Sequence, residues 1–126
     1  QSPDDVFAHY YLGKADLHIG NLQEAETHLL ISSKDEKTRR DSLLDLSAVY
    51  MRLKQAEKAH VQIQMLNKEF PKFAPGWLYA SGILRALNKP GVDDALKKFL
   101  ETANRNDPFE LSQMEGVERE LKSRNP

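Results

Sequence analysis

Imidazole is the side chain most suited to binding metals and moving protons near neutral pH, and the chain carries it at His9, His18, His28 and His60. A helical metal site needs two such rings three or four residues apart, and none of these pairs has that spacing; no HExxH stands in the sequence. Cysteine is absent, which excludes thiolate zinc sites, cysteine nucleophiles and disulfides. Phosphate-cradling GxxxxGK[ST] and GxGxxG loops and the GxSxG nucleophile turn are missing as well. The acidic pairs Asp4–Asp5 and Asp93–Asp94 stand at helix starts, where carboxylates meet the positive end of the helix dipole. The sequence therefore offers no catalytic, cofactor-binding or metal-ligating set, and its function is expected to be non-enzymatic.

The overall charge narrows the partners. Eighteen basic and 19 acidic residues leave a formal charge of −1, so nothing draws the chain to nucleic acid or to an anionic membrane. The runs Lys37–Arg40 and Leu96–Lys98 are short and offset by neighbouring acids. No apolar run approaches the ~20 residues of a membrane span, and no signal peptide is visible. The first residue is Gln1, which reads as a processed chain or an excised fragment. A soluble protein is expected, with the cytoplasm preferred and the periplasm open if a signal segment has been removed.

The elements that must carry function are helices. Apolar residues recur at spacings of three and four, as in Leu43, Leu46, Tyr50 and Leu53, and sustained two-residue alternation is missing. Ser2, Pro3 and Asp4 make a helix start, and Asp107, Pro108 and Glu110 make another. Gly20 and Asn21 end the first helix, and Asn21 with Glu24 has the form of a capping box for the next. Roughly seven helices of ~10 to 17 residues are expected, joined by short connections.

A period of 34 residues runs through these helices. Gly13, Ser47 and Ser81 are 34 apart, and Leu12, Leu46 and Ala80 precede them. His9, Leu43 and Trp77 stand four before them. Ala25 and Ala59 repeat at the same interval, followed four residues later by Leu29 and Ile63. Pro71 closes the middle unit. In the third unit a two-residue insertion within LNKPGVDDAL displaces the corresponding pair to Ala95 and Phe99, and its closing Pro108 shifts by one more. The first unit departs further, with His9 at the bulky position, Asp16 where Tyr50 stands in the second, and Lys37 in place of a proline. Small residues at fixed positions let two antiparallel helices approach, while the large ones fill the space between units.

This pattern resembles the tetratricopeptide repeat, W-x2-L-G-x2-Y, A-x3-F and P over 34 residues. The resemblance implies an all-α fold, an α-solenoid of helix-turn-helix repeats wound as a right-handed superhelix. One domain over residues 1–126 is expected, with repeats at about 6–39, 40–73 and 74–108. A capping helix follows at about 108–123, its apolar stripe formed by Leu111, Met114, Val117 and Leu121. Stepping back 34 twice from Pro71 reaches Pro3, so QSPDD reads as the tail of a preceding repeat in a longer array.

The resemblance also implies a concave groove, lined by the first helix of each unit, that binds a peptide or helix of a protein partner. The matching positions are Tyr10, Tyr11, Lys14 and Leu17, then Leu44, Ala48, Met51 and Arg52, then Leu78, Tyr79, Gly82 and Arg85. Asp45, His18 and Ala86 border them. Aromatic residues and arginine anchor protein contacts and methionine adapts to them. The bound segment is expected to be apolar or aromatic, with room for an acidic residue facing Lys14, Arg52 or Arg85. Trp77 falls in register with the core.

Members that grip the C-terminal carboxylate of chaperones use a lysine and an asparagine, a second asparagine, then a lysine and an arginine. The matching positions here are Tyr10 and Lys14, Asp45, and Pro75 and Tyr79. Asp45 would repel a carboxylate, so that cargo is not expected. Two other roles remain open on sequence: a homo-oligomerisation module, and an accessory helical domain of a larger enzyme or assembly complex.

Overall fold

A computed structural model describes residues 5–124. Among them run seven α-helices and no strand: α1 Val6–Ile19, α2 Leu22–Ser32, α3 Arg39–Arg52, α4 Ala56–Glu69, α5 Ala74–Ala86, α6 Val92–Thr102 and α7 Pro108–Arg124. The helix start expected at Ser2, Pro3 and Asp4 and the tail of a preceding repeat lie outside the described residues, apart from Asp5. That residue caps α1, its carboxylate accepting from the amides of Phe7 at 3.0 Å and Ala8 at 3.3 Å. Two compact units divide the chain, Gln1–Leu66 and Asn67–Pro126.

In the first unit α1 turns back into α2 at Gly20, whose φ of 89° only glycine adopts freely. Asn21 then occupies the cap of α2 without a side-chain capping bond, so the expected capping box does not form. The two helices meet at Gly13. A Cβ on this glycine would lie 2.7 Å from Leu29 Cγ and 3.3 Å from the Ala25 carbonyl oxygen, so any other residue would force Leu29 to shift. Ala25, Leu29, Leu43, Leu46, Val49, Ala59 and Ile63 build the core there, each at most 1% exposed. Burying each leucine or isoleucine contributes roughly 1.5–3 kcal/mol.

The connection between α2 and α3 has Lys37 where the family pattern has proline, and it is closed by hydroxyl groups instead. Thr38 Oγ1 donates to the Ser32 carbonyl at 2.6 Å, and Arg39 donates to the Ser33 carbonyl at 2.9 Å. Ser32 Oγ donates to the Leu29 carbonyl at 3.2 Å. A hydroxyl has one proton to give, so in the 2.6 Å contact between the Ser32 and Ser42 hydroxyls Ser42 is the donor.

In the second unit α5 starts behind Phe73, with Pro75 in its first turn, where a missing amide costs nothing. Asn67 Nδ2 donates to the Gly76 carbonyl at 3.2 Å, and Trp77 Nε1 donates to the Pro71 carbonyl at 2.8 Å. The inserted residues between α5 and α6 make a turn with positive φ at Asn88 (54°) and Gly91 (107°). Ala74, Leu96, Phe99, Met114 and Val117 form the core of this unit, with Trp77, Leu78 and Leu121 packed against it. Trp77 is thus a structural residue, half-buried rather than enclosed, with Lys98 Nζ 4.6 Å from its ring centroid. Helix α7 is capped by Asp107, which accepts from the Glu110 amide at 3.0 Å. It turns Met114 and Val117 inward, whereas Leu111, the first member of the expected stripe, stands 37% exposed.

Candidate functional site

Eight of the residues assigned to a binding face belong to α1 and α3, which lie in contact within the first unit. The four-and-three spacing of Tyr10, Lys14 and Leu17 places them on one side of α1, and Leu44, Ala48 and Met51 repeat that spacing on α3. Leu17, Leu44, Ala48 and Met51 are all half-buried, leaving an aliphatic surface that is partly open. Tyr11 is 64% exposed, and its ring meets that of Tyr10 edge-on, centroids 5.3 Å apart.

Two cross-links hold α1 against α3. Lys14 Nζ lies 3.5 Å from Asp45 Oδ2 and 5.8 Å from the Tyr10 ring centroid. Arg52, at the last turn of α3, donates to the Leu17 carbonyl of α1. The Tyr10 hydroxyl also donates to Asp45. Asp45 is 7% exposed, and burial holds its carboxyl above the usual value for an aspartate. Lys14 and the hydrogen bonds it and Tyr10 supply pull the other way, and nearby Asp41 adds to the rise. Burial, with the charges of Asp45 and Asp41, likewise pushes the Tyr10 hydroxyl far above its ordinary value. The Tyr10 hydroxyl therefore keeps its proton at neutral pH and serves as a hydrogen-bond donor to Asp45.

The α5 residues have a different setting. Leu78 packs into the core formed with α6 and α7, and Arg85 is ion-paired with Glu120 of α7. Glu120 also pairs with Arg124 at 2.7 Å, and Arg124 pairs with Asp93 at the start of α6. A cleft of about 330 Å³ lies beside this network, lined by Ser81, Leu96 and Gly116 among others. Tyr79 is 36% exposed, and Gly82 faces open space. Helix α7 thus covers part of the α5 face that the sequence assigns to a partner. All three cations expected to meet an acidic ligand, Lys14, Arg52 and Arg85, already have partners inside the chain.

Sequence spacing missed one pair of residues. His9 and His28, 19 residues apart on α1 and α2, bring their Nδ1 atoms to 2.8 Å, with ring centroids 5.1 Å apart. Across this contact one Nδ1 donates and the other accepts, the roles being set by the tautomers of the two rings. No three His, Asp or Glu side chains converge as metal ligands among the described residues. Among the same residues no helix is long and apolar enough to cross a membrane.

No protein-family model and no curated protein matches the chain. Solved structures do. PcrH from Pseudomonas aeruginosa superposes with a TM-score of 0.84 over 100% of this chain and 96% of its own, at 15% identity. The Sgt2 tetratricopeptide-repeat domain from Aspergillus fumigatus gives 0.77 at 17% identity, covering 98% of this chain and 83% of that one. The first such domain of Spaghetti (RPAP3), bound to the HSP90 peptide SRMEEVD, gives 0.76 at 13% identity over 97% and 99%. Low identity with full coverage is what a fold set by spacing and small-residue positions produces. The chain has the all-α helical-repeat fold of the tetratricopeptide-repeat domains.

Proposed function

We propose that the chain is a non-enzymatic adaptor that holds an apolar or aromatic segment of a protein partner on the α1–α3 face. The carrying observation is that Tyr10, Tyr11, Leu17, Leu44 and Met51 are brought onto two helices cross-linked by Lys14–Asp45 and Arg52–Leu17. These links preorganise the face, so a ligand spends little of its binding energy on ordering it. They also satisfy the cations, which leaves aromatic and aliphatic contact as the main attraction.

The RPAP3 domain holds an HSP90 peptide with three acidic residues. On the α1–α3 face here Asp45 is buried and Lys14 is paired with it, which favours uncharged cargo over a carboxylate. Selection of displayed random peptides on the immobilised chain tests this reading. Recovered peptides should be rich in Leu, Phe, Tyr or Trp. In fluorescence anisotropy, Tyr10→Ala, Tyr11→Ala, Leu44→Ala and Met51→Ala should each weaken them by about tenfold while circular dichroism is unchanged. Full-strength binding by all four variants sinks the proposal, as does a selection dominated by acidic peptides.

A further inference from the structure

Four large apolar side chains stand well exposed on a single helix. Phe7, Tyr11, Leu12 and Ile19 of α1 are 46, 64, 52 and 72% exposed. With exposed Ala15 and His18 and half-buried Ala8 they form an arc along the helix that holds no charged residue. The two charges of α1, Lys14 and Asp16, sit at half-buried positions. A solvated helix shows the opposite arrangement, and a helix apolar all round is ordinarily covered on every side. The remaining exposed large apolar residues, Leu30, Val61, Tyr79, Phe109 and Leu111, are spread over other helices and form no comparable stripe.

We propose that this face pairs with the same face of a second copy, α1 running antiparallel to its counterpart across a two-fold axis. Ala8, Leu12, Ala15 and Ile19 are spaced four, three and four, the seam of a close-packed helix pair. Only antiparallel pairing sets large against small along that seam: Leu12 over the partner's Ala15, and Ile19 over the partner's Ala8. It also brings Tyr11 beside the partner's His18 and opposes the two helix dipoles favourably. No like charges meet, because the arc has none.

The four large side chains expose roughly 470 Å² per copy, taking about 200 Å² for a whole large side chain. An isologous contact that buries both patches removes roughly 940 Å² in all, below the ~1,200 Å² at which stable specific interfaces begin, so the dimer is weak and concentration-dependent. The contact lies on the outer side of α1, with Tyr11 at its border with the face proposed for peptide binding. The two proposals share Tyr11, and the Ala15 variants below leave that residue untouched.

Sedimentation velocity from micromolar to millimolar protein tests the pairing. The weight-average mass should climb from the 14.4 kDa of one chain toward twice that value. Ala15 is exposed and lies outside the peptide face, so Ala15→Glu and Ala15→Lys should fold with unchanged helicity. Each variant alone should weaken dimerisation about tenfold or more, because like charges then face each other. An equimolar mixture of the two should dimerise again. A chain that stays at 14.4 kDa throughout overturns the proposal and leaves the face to a helix of another protein. Variants that dimerise as well as the original, or a mixture that stays monomeric, overturn it equally.

Discussion

The two compact units open with helix pairs built on the same plan and then solve the packing problem differently. In the first, Gly13 of α1, with no side chain of its own, presses on Leu29 of α2, and the α1–α3 face keeps a carboxylate, a lysine and a tyrosine in mutual contact. In the second, Ser81 and Ala95 take the corresponding small positions, and bulk does the work: Phe99 is fully buried, Trp77 packs beside it, and α7 closes over both α5 and α6. One unit therefore depends on close approach and satisfied polar groups, the other on filled volume. The same difference explains why residues at equivalent register are open on α1 and α3 but partly covered on α5.

Volume removal should hit the second unit hardest. Phe99→Ala empties a fully buried aromatic site and is expected to cost about 3–5 kcal/mol, read as a loss of denaturant midpoint. In the first unit the damaging change is an addition. Gly13→Ala would normally stabilise a helix interior by ~0.5–1 kcal/mol. Here it should destabilise by about 1–3 kcal/mol, because the new methyl meets Leu29, which has nowhere to move. A stabilised Gly13→Ala variant would erase the contrast between the units.

A smaller effect sharpens the contrast further. The Asp45 carboxyl is held above its ordinary value, so the folded state takes up a proton at higher pH than the unfolded state does. Its charge therefore costs stability at neutral pH, and that cost vanishes as pH falls below the unfolded value. Asp45→Asn should raise the melting temperature at neutral pH, and the difference should shrink as pH falls and be gone below about pH 4. A difference that grows on acidification would show the carboxylate to be a net stabiliser through Lys14.

Periodicity made the helices and the repeat register legible, because each helix writes its buried face into its own sequence. Gly13, Ser47 and Ser81 were found from spacing alone, and Trp77 was read as packing rather than binding. What spacing does not encode is which surface covers which. Arg85 looked available because its partner, Glu120, lies 35 residues further on, and Lys14 meets Asp45 at a separation of 31. Leu111 matched the apolar period of α7 yet stands exposed one turn before the buried run begins. The candidate face was legible as a set of positions, whereas its internal charge pairing was legible only in three dimensions.

The hydroxyl closure between α2 and α3 carries a mechanical consequence. A connection of this length ordinarily works as a hinge, because its backbone groups trade partners with water. Here Ser42 donates to Ser32, Ser32 to Leu29 and Thr38 back to Ser32, all in a site from which solvent is nearly absent. The joint is stiffened: moving α3 against α2 would break these bonds in a site where water is not at hand to replace them.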